Sequence, residues 1–125
     1  ADKEVVMATV TSGWGLGYVS TEMKANKEVV MAAVEKHGEA LRYASNEMKA
    51  NKEVVMAAVK DNGWALRFAS DEMKADKEVV MTALQNNAYY TKSSIFEFVS
   101  FDLRADEEVR AAAGLGQLDE GVVLV

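Results

Sequence analysis

An all-α fold, a short α-solenoid of stacked two-helix repeats, is the class the sequence predicts, and three observations predict it. Asp2-Lys3-Glu4-Val5-Val6-Met7 returns at 26–31, 51–56 and 76–81, with a worn fifth copy in Asp106-Glu107-Glu108-Val109. Such self-similarity at a fixed period is the signature of a repeat architecture. Within the copies, apolar residues fall at i, i+3 and i+4, as in Val55, Ala58 and Val59, while alternation with period two is missing until the last residues. There is no proline to interrupt a helix. A helix pair of 25 residues cannot bury its own apolar stripe, whereas stacked copies bury a continuous one.

Each unit divides in two. Asp or Asn opens a first helix as N-cap, with Glu in the first turn favoured by the positive helix end. Gly38 and Gly63 are expected to end that helix as residues of positive φ, after the polar Glu35-Lys36-His37 and Lys60-Asp61-Asn62. A second helix is expected to follow at once, with Leu66, Ala69 and Met73 on one face and Phe68 beside them. The helical-repeat domain is placed at 1–110, in units of about 1–25, 26–50, 51–75 and 76–105 and a partial 106–113. Copies 26–50 and 51–75 agree at 19 of 25 positions, which fixes the period. The first copy is one residue shorter, and the fourth carries five extra residues near 89–94. A Gly-punctuated, non-helical C-terminal tail, 114–125, ends in the apolar Val122-Val123-Leu124-Val125.

Together these residues resemble a repeat family known only as a domain of unknown function, whose copies run in tandem in proteins of unicellular algae and some intracellular bacteria. The motif that carries the likeness is Asp-Lys-Glu-Val-Val-Met-Ala-Ala-Val, three residues, Gly-x-Ala-Leu-x-Tyr/Phe-Ala-Ser, over 2–110. The resemblance implies helical repeats and a binding role, with no activity, cofactor or catalytic residue attached. Ala88 in place of the repeat glycine departs from the pattern in the fourth unit.

Composition narrows the function classes. Fourteen basic residues stand against twenty acidic ones, for a net charge of −6. No window is basic enough for a phosphate-tracking stripe, so nucleic acid is not an expected partner. No apolar run approaches the roughly 20 residues that cross a bilayer, so no transmembrane segment is expected. The chain starts with Ala1 and shows no leader, so any targeting segment is expected to lie outside it. Cys is absent and His37 is the single histidine, which leaves no thiol chemistry and no second imidazole for a metal cage.

Gly13-x-Gly15-x-Gly17 lacks the spacing and the preceding strand of a dinucleotide fingerprint and reads as a helix terminus. The seven methionines recur in two repeat slots, which is how core filler behaves. Paired carboxylates such as Asp71-Glu72 have no opposed partner to make an acid–base site. No catalytic, metal or cofactor residue is therefore predicted, and the chain is not expected to be an enzyme.

The residues worth attention are those where copies disagree. Trp14 and Trp64 share a slot with Glu39, which places that slot partly in water, facing a partner or covering the next unit. Tyr89 and Tyr90 lie in the insert; Phe96 and Phe98 follow in the Leu66 and Phe68 slots; Phe101 replaces residues that are polar elsewhere. Phe101 is either a cap on the last repeat or a contact. In the tail, Leu118, Val122, Val123, Leu124 and Val125 make a segment that folds back on Phe101 or is handed to a partner. The expectation is a non-enzymatic protein–protein interaction module, a small adapter or structural subunit of a larger assembly. An algal organellar or photosynthetic complex is a setting suggested by analogy alone. The alternative is a carrier for a small apolar ligand or pigment.

Overall fold

The computed structural model describes residues 3–11, 15–86 and 92–114, and over them the chain is a helical-repeat solenoid without strands. Unit one supplies α1 (Lys3–Val10), the 3-10 turn η1 (Gly15–Tyr18) and α2 (Thr21–Lys24). Unit two supplies α3 (Lys27–Lys36), η2 (Gly38–Tyr43) and α4 (Asn46–Lys49), and unit three α5 (Lys52–Asp61), η3 (Gly63–Phe68) and α6 (Asp71–Lys74). Unit four runs α7 (Lys77–Gln85), α8 (Lys92–Phe96) and η4 (Phe101–Leu103), and α9 (Glu107–Ala112) opens a fifth. Long helices pack on long helices in the order α1, α3, α5, α7, α9. The row η1, η2, η3, α8 runs beside them in the same way. The tail 115–125 and the tyrosine insert lie outside the described residues.

The first helices form as the sequence predicts. Asn26, Asn51 and Asp76 accept from the amides of Val29, Val54 and Val79 at 3.1–3.2 Å, and Asp106 accepts from Val109. Their apolar stripe is fully buried: in α5, Val54, Val55, Ala58 and Val59 are all 0% exposed. Each large side chain so buried is worth roughly 1.5–3 kcal/mol. Met48 and Met73 are buried and the other methionines are half-buried against the core. Val5 occupies the slot of Val29, Val54, Val79 and Val109, yet it is 63% exposed while those four are buried. The difference is position in the stack: no described helix lies on the outer side of α1.

The second half of the unit is divided rather than continuous. Residues 38–43 and 63–68 wind as 3-10 turns, the chain extends at Ala44-Ser45 and Ala69-Ser70, and a four-residue α-helix follows. A 3-10 turn has three residues per turn, and this lines up Gly38, Leu41 and Ala44, or Gly63, Leu66 and Ala69, toward the core. The break is made by serine. Ser20, Ser45 and Ser70 each accept from the methionine amide three residues on, at 3.2–3.3 Å, and so start a new helix. Unit four differs again: α8 is α-helical, Ile95 in the slot of Ala65 is fully buried, and Phe96 in the slot of Leu66 is only half-buried, as is Phe98.

The repeat glycines correct a second expectation. Neither Gly38 nor Gly63 has a positive φ; among the described residues only Gly114 does, at 78°. α3 and α5 end on extended residues, His37 and Asn62. Glycine is required by closeness instead. A Cβ on Gly38 would run into the carbonyl oxygen of Ala58, and one on Gly63 into the carbonyl of Ala83, each in the following unit. The Gly38 amide donates to the Asp61 carboxylate at 2.7 Å, and the Gly63 amide donates to the Asn86 carbonyl.

Two ladders tie the units at the surface. Ser45, Ser70 and Ser100 amides donate to the carbonyls of Lys24, Lys49 and Lys74 in the preceding unit, all at 2.9 Å. Lysines at the start of the long helices reach forward: Lys27 to Glu53, Lys52 to Asp76 and Glu78, Lys77 to Asp106 and Glu108. Partial burial pulls the Asp76 carboxyl upward, but the Lys52 hydrogen bond, the Val79 amide and the Lys52 charge outweigh it and hold its pKa below the usual value. Asp106 is lowered chiefly by its hydrogen bond from Lys77, then by the Val109 amide. Hydrogen bonds to these acids raise Lys52 and Lys77.

Two outcomes follow. Gly63→Ala should lower the unfolding free energy by about 1–3 kcal/mol in urea melts, the usual cost of forcing atoms into a packed contact. A loss under about 0.5 kcal/mol, the range of surface substitutions, would contradict the close approach. The ladder should also read out in pH. Lowered carboxyls contribute fully above their ordinary 3.8 and lose that contribution as pH falls through their depressed values. Raised lysines contribute fully below 10.5 and lose their share only above it. The fall in urea midpoint from about pH 6 to about pH 2.5 should therefore be smaller in Asp76→Asn/Asp106→Asn than in the unaltered chain.

Candidate functional site

The 3-10 row carries the chain's most unusual surface. Each of η2 and η3 ends in an arginine and an aromatic residue, with the arginine exposed and the ring half-buried. The Arg42 guanidinium carbon lies 5.2 Å from the Tyr43 ring centre and 5.6 Å from that of Phe68 in the next unit. Arg67 repeats the arrangement, 5.0 Å from Phe68, 5.3 Å from Trp64 and 5.9 Å from Phe98 of unit four. Each guanidinium thus bridges its own unit's ring and the next one's. Such cation–π contacts are worth about 0.5–1 kcal/mol each at exposed sites.

The ends of the row differ from its middle. In unit one Gly17 stands in the arginine slot and its backbone lies against the Tyr43 ring; a Cβ there would be 3.2 Å from it. Tyr18, the ring of that unit, is 90% exposed. In unit four Glu97 takes the arginine slot. Arg104 lies over Phe96 at 5.9 Å, but it is tied down, donating from Nε to the Val99 carbonyl at 3.1 Å and from Nη2 to the Glu97 carbonyl at 2.7 Å. Arg42 and Arg67 donate no hydrogen bond and make no ion pair within the described residues. Both side chains are exposed and lie beside aromatic rings.

The sequence-predicted site residues divide by what is described. Trp64 is half-buried, and its indole meets the Phe98 ring edge-on, centres 5.0 Å apart at 78°. It therefore covers the neighbouring unit and still keeps an open side. Phe101 is 83% exposed at the start of η4. Trp14, Tyr89, Tyr90, Leu118, Val122, Val123, Leu124 and Val125 lie outside the described residues. His37 is exposed at the end of α3. Among the described residues no three His, Asp or Glu side chains gather as they would around a metal ion, and no helix is long and apolar enough to cross a membrane. Sequence reasoning missed Arg42 and Arg67. The signal was present as Arg-Tyr and Arg-Phe at the repeat period.

Near Phe101 the surface forms a cleft of about 300 Å³ lined by Asp71, Lys74, Glu97, Phe98, Val99 and Ser100. Three of these six residues are charged.

With this geometry in place, comparison with known families decides the chain's kinship. Residues 2–49 and 51–104 both match the family described as Domain of unknown function (DUF4116). The chain belongs to that family. Each matched segment spans two of the units, so the DUF4116 domain corresponds here to a pair of stacked repeats. Comparison with the curated proteins and with the solved structures found no match.

The stacked row predicts a specific cost for a charge-conserving change. Arg67→Lys removes the planar group from three rings and should lower stability by about 0.5–1 kcal/mol in urea melts. It should also shift tryptophan emission, because Trp64 loses the guanidinium over its ring. Unchanged emission would show that Arg67 is not held there.

Proposed function

We propose that the chain is a non-enzymatic protein–protein interaction module, a small adapter or structural subunit of a larger assembly, which binds through the arginine–aromatic row. One observation carries this reading: Arg42 and Arg67 each lie against rings of their own unit and the next, yet their donors have no partner in the described chain. An exposed arginine usually moves freely, and fixing it costs side-chain entropy. Here the cost falls on folding rather than on binding, which is the condition for a preorganised contact. Arginine and aromatic residues are also the types that dominate binding energy at interfaces. Tyr18, the ring of unit one, and Phe101 in unit four are exposed aromatic residues as well. An apolar carrier finds less support, since the cleft beside Phe98 is walled by Asp71, Lys74 and Glu97.

The test is the native mass of the endogenous protein after gentle lysis, by gel filtration with mass spectrometry of crosslinked neighbours. Co-elution with a larger assembly is expected, with crosslinks from lysines flanking the row. Arg42→Glu/Arg67→Glu should abolish co-elution while leaving the helical circular dichroism unchanged. A lone monomer from the unaltered protein would overturn the reading.

A further inference from the structure

Resting on that reading, we infer that the row recognises an extended acidic segment of a partner protein, with two carboxylates two or three residues apart paired to Arg42 and Arg67. A guanidinium stacked on a ring keeps its in-plane N–H groups, and two parallel N–H donors match the two oxygens of a carboxylate. Arg42 and Arg67 offer such edges side by side. Both lie against the one Phe68 ring, at 5.6 and 5.0 Å from its centre, so their guanidinium carbons are within about 11 Å of each other.

That limit bounds the spacing of the two carboxylates. Alternate residues on one face of a β-strand are about 7 Å apart, and the next pair on that face about 14 Å. A polyproline II segment places residues i and i+3 on one side about 9 Å apart. The first and the last lie within that bound and about 14 Å does not, so the segment is extended with acids at i and i+2 or at i and i+3. A polyanion fits less well. Glu39 lies on the same row and Glu97 holds its fourth arginine slot, and the chain as a whole is at −6. A dense phosphate backbone would meet these acids, whereas two discrete carboxylates meet the two arginines alone.

The row carries its own internal control. Arg104 is also near an aromatic ring, but both Nε and Nη2 are already committed to backbone carbonyls. A carboxylate that binds by the free-edge mechanism engages Arg42 and Arg67 and leaves Arg104 alone. The same contrast separates a site from general attraction of acid to base.

The experiment uses the full chain, labelled with nitrogen-15, and three additions at low salt: the peptide (Glu-Pro-Pro)4, its counterpart (Gln-Pro-Pro)4 and inorganic phosphate. The readout is the Nε–Hε resonance of each arginine. The glutamate peptide should shift Arg42 and Arg67 to saturation with Arg104 unmoved. The glutamine peptide and phosphate should bind at least tenfold more weakly. Arg42→Ala/Arg67→Ala should lose at least tenfold in affinity for the glutamate peptide, and Arg42→Lys/Arg67→Lys several-fold, with helical circular dichroism retained in both. Equal binding of the two peptides, an equal response to phosphate, or uniform shifts that include Arg104 would overturn the inference. If the peptide fails while the protein still co-elutes with an assembly, only the acidic-segment inference falls. A lone monomer in lysate removes the adapter reading itself.

Discussion

Everything in this structure depends on how closely one unit approaches the next. Alanine stands at the contact in Ala33, Ala58 and Ala83, all fully buried, and glycine stands opposite, where a Cβ on Gly38 or Gly63 would strike a carbonyl oxygen of the following unit. That approach lets valines on successive helices close over one another. Val5 supplies the control, since the side chain buried at 0% in Val29, Val54, Val79 and Val109 is largely exposed where no described helix covers it. Burial here belongs to the junction between units rather than to any unit, as expected for a quasi-one-dimensional array.

The surface ladders follow from the same spacing. A lysine at the first helical position reaches the cap and first-turn acids of the next helix only because the helices lie side by side in register. These pairs are exposed, and pairs of that kind add little stability; they fix direction and register. The arginine–aromatic row is the third ladder, and the least self-sufficient. Its two stacked guanidiniums satisfy ring faces and leave their donors open, while Arg104 shows the alternative, an arginine consumed by its own backbone. The difference between them separates a structural arginine from an available one.

Much of the fold was legible because repetition multiplies weak signals. The N-caps at Asn26, Asn51 and Asp76, the buried stripe of α5 and the helical-repeat class could all be read from the period of the motif. The break in the second half was also written there, in the three-residue spacing of Gly63, Leu66 and Ala69 and the recurring Ser70, but that spacing also fits an α-helix until the serine is seen as a cap. The glycines misled for a deeper reason. A local rule assigns glycine after a helix to positive φ, whereas Gly38 answers to Ala58 in another unit, a long-range contact that no window of sequence displays. The site was harder still. Trp64 stood out as a departure from the repeat, while Arg42 and Arg67 conform to it, and only stacking geometry separates them from ordinary surface charges.

The central claim is that unit-to-unit stacking, not helix formation within a unit, sets the stability of the chain. Native-state hydrogen exchange at the amides of Ser45 and Ser70 tests it most directly, because each donates only to a carbonyl of the preceding unit. These two amides should exchange as slowly as those of Val34 and Val59 inside the long helices. Exchange of Ser45 and Ser70 at the rate of open loops, with the helical amides still protected, would contradict it.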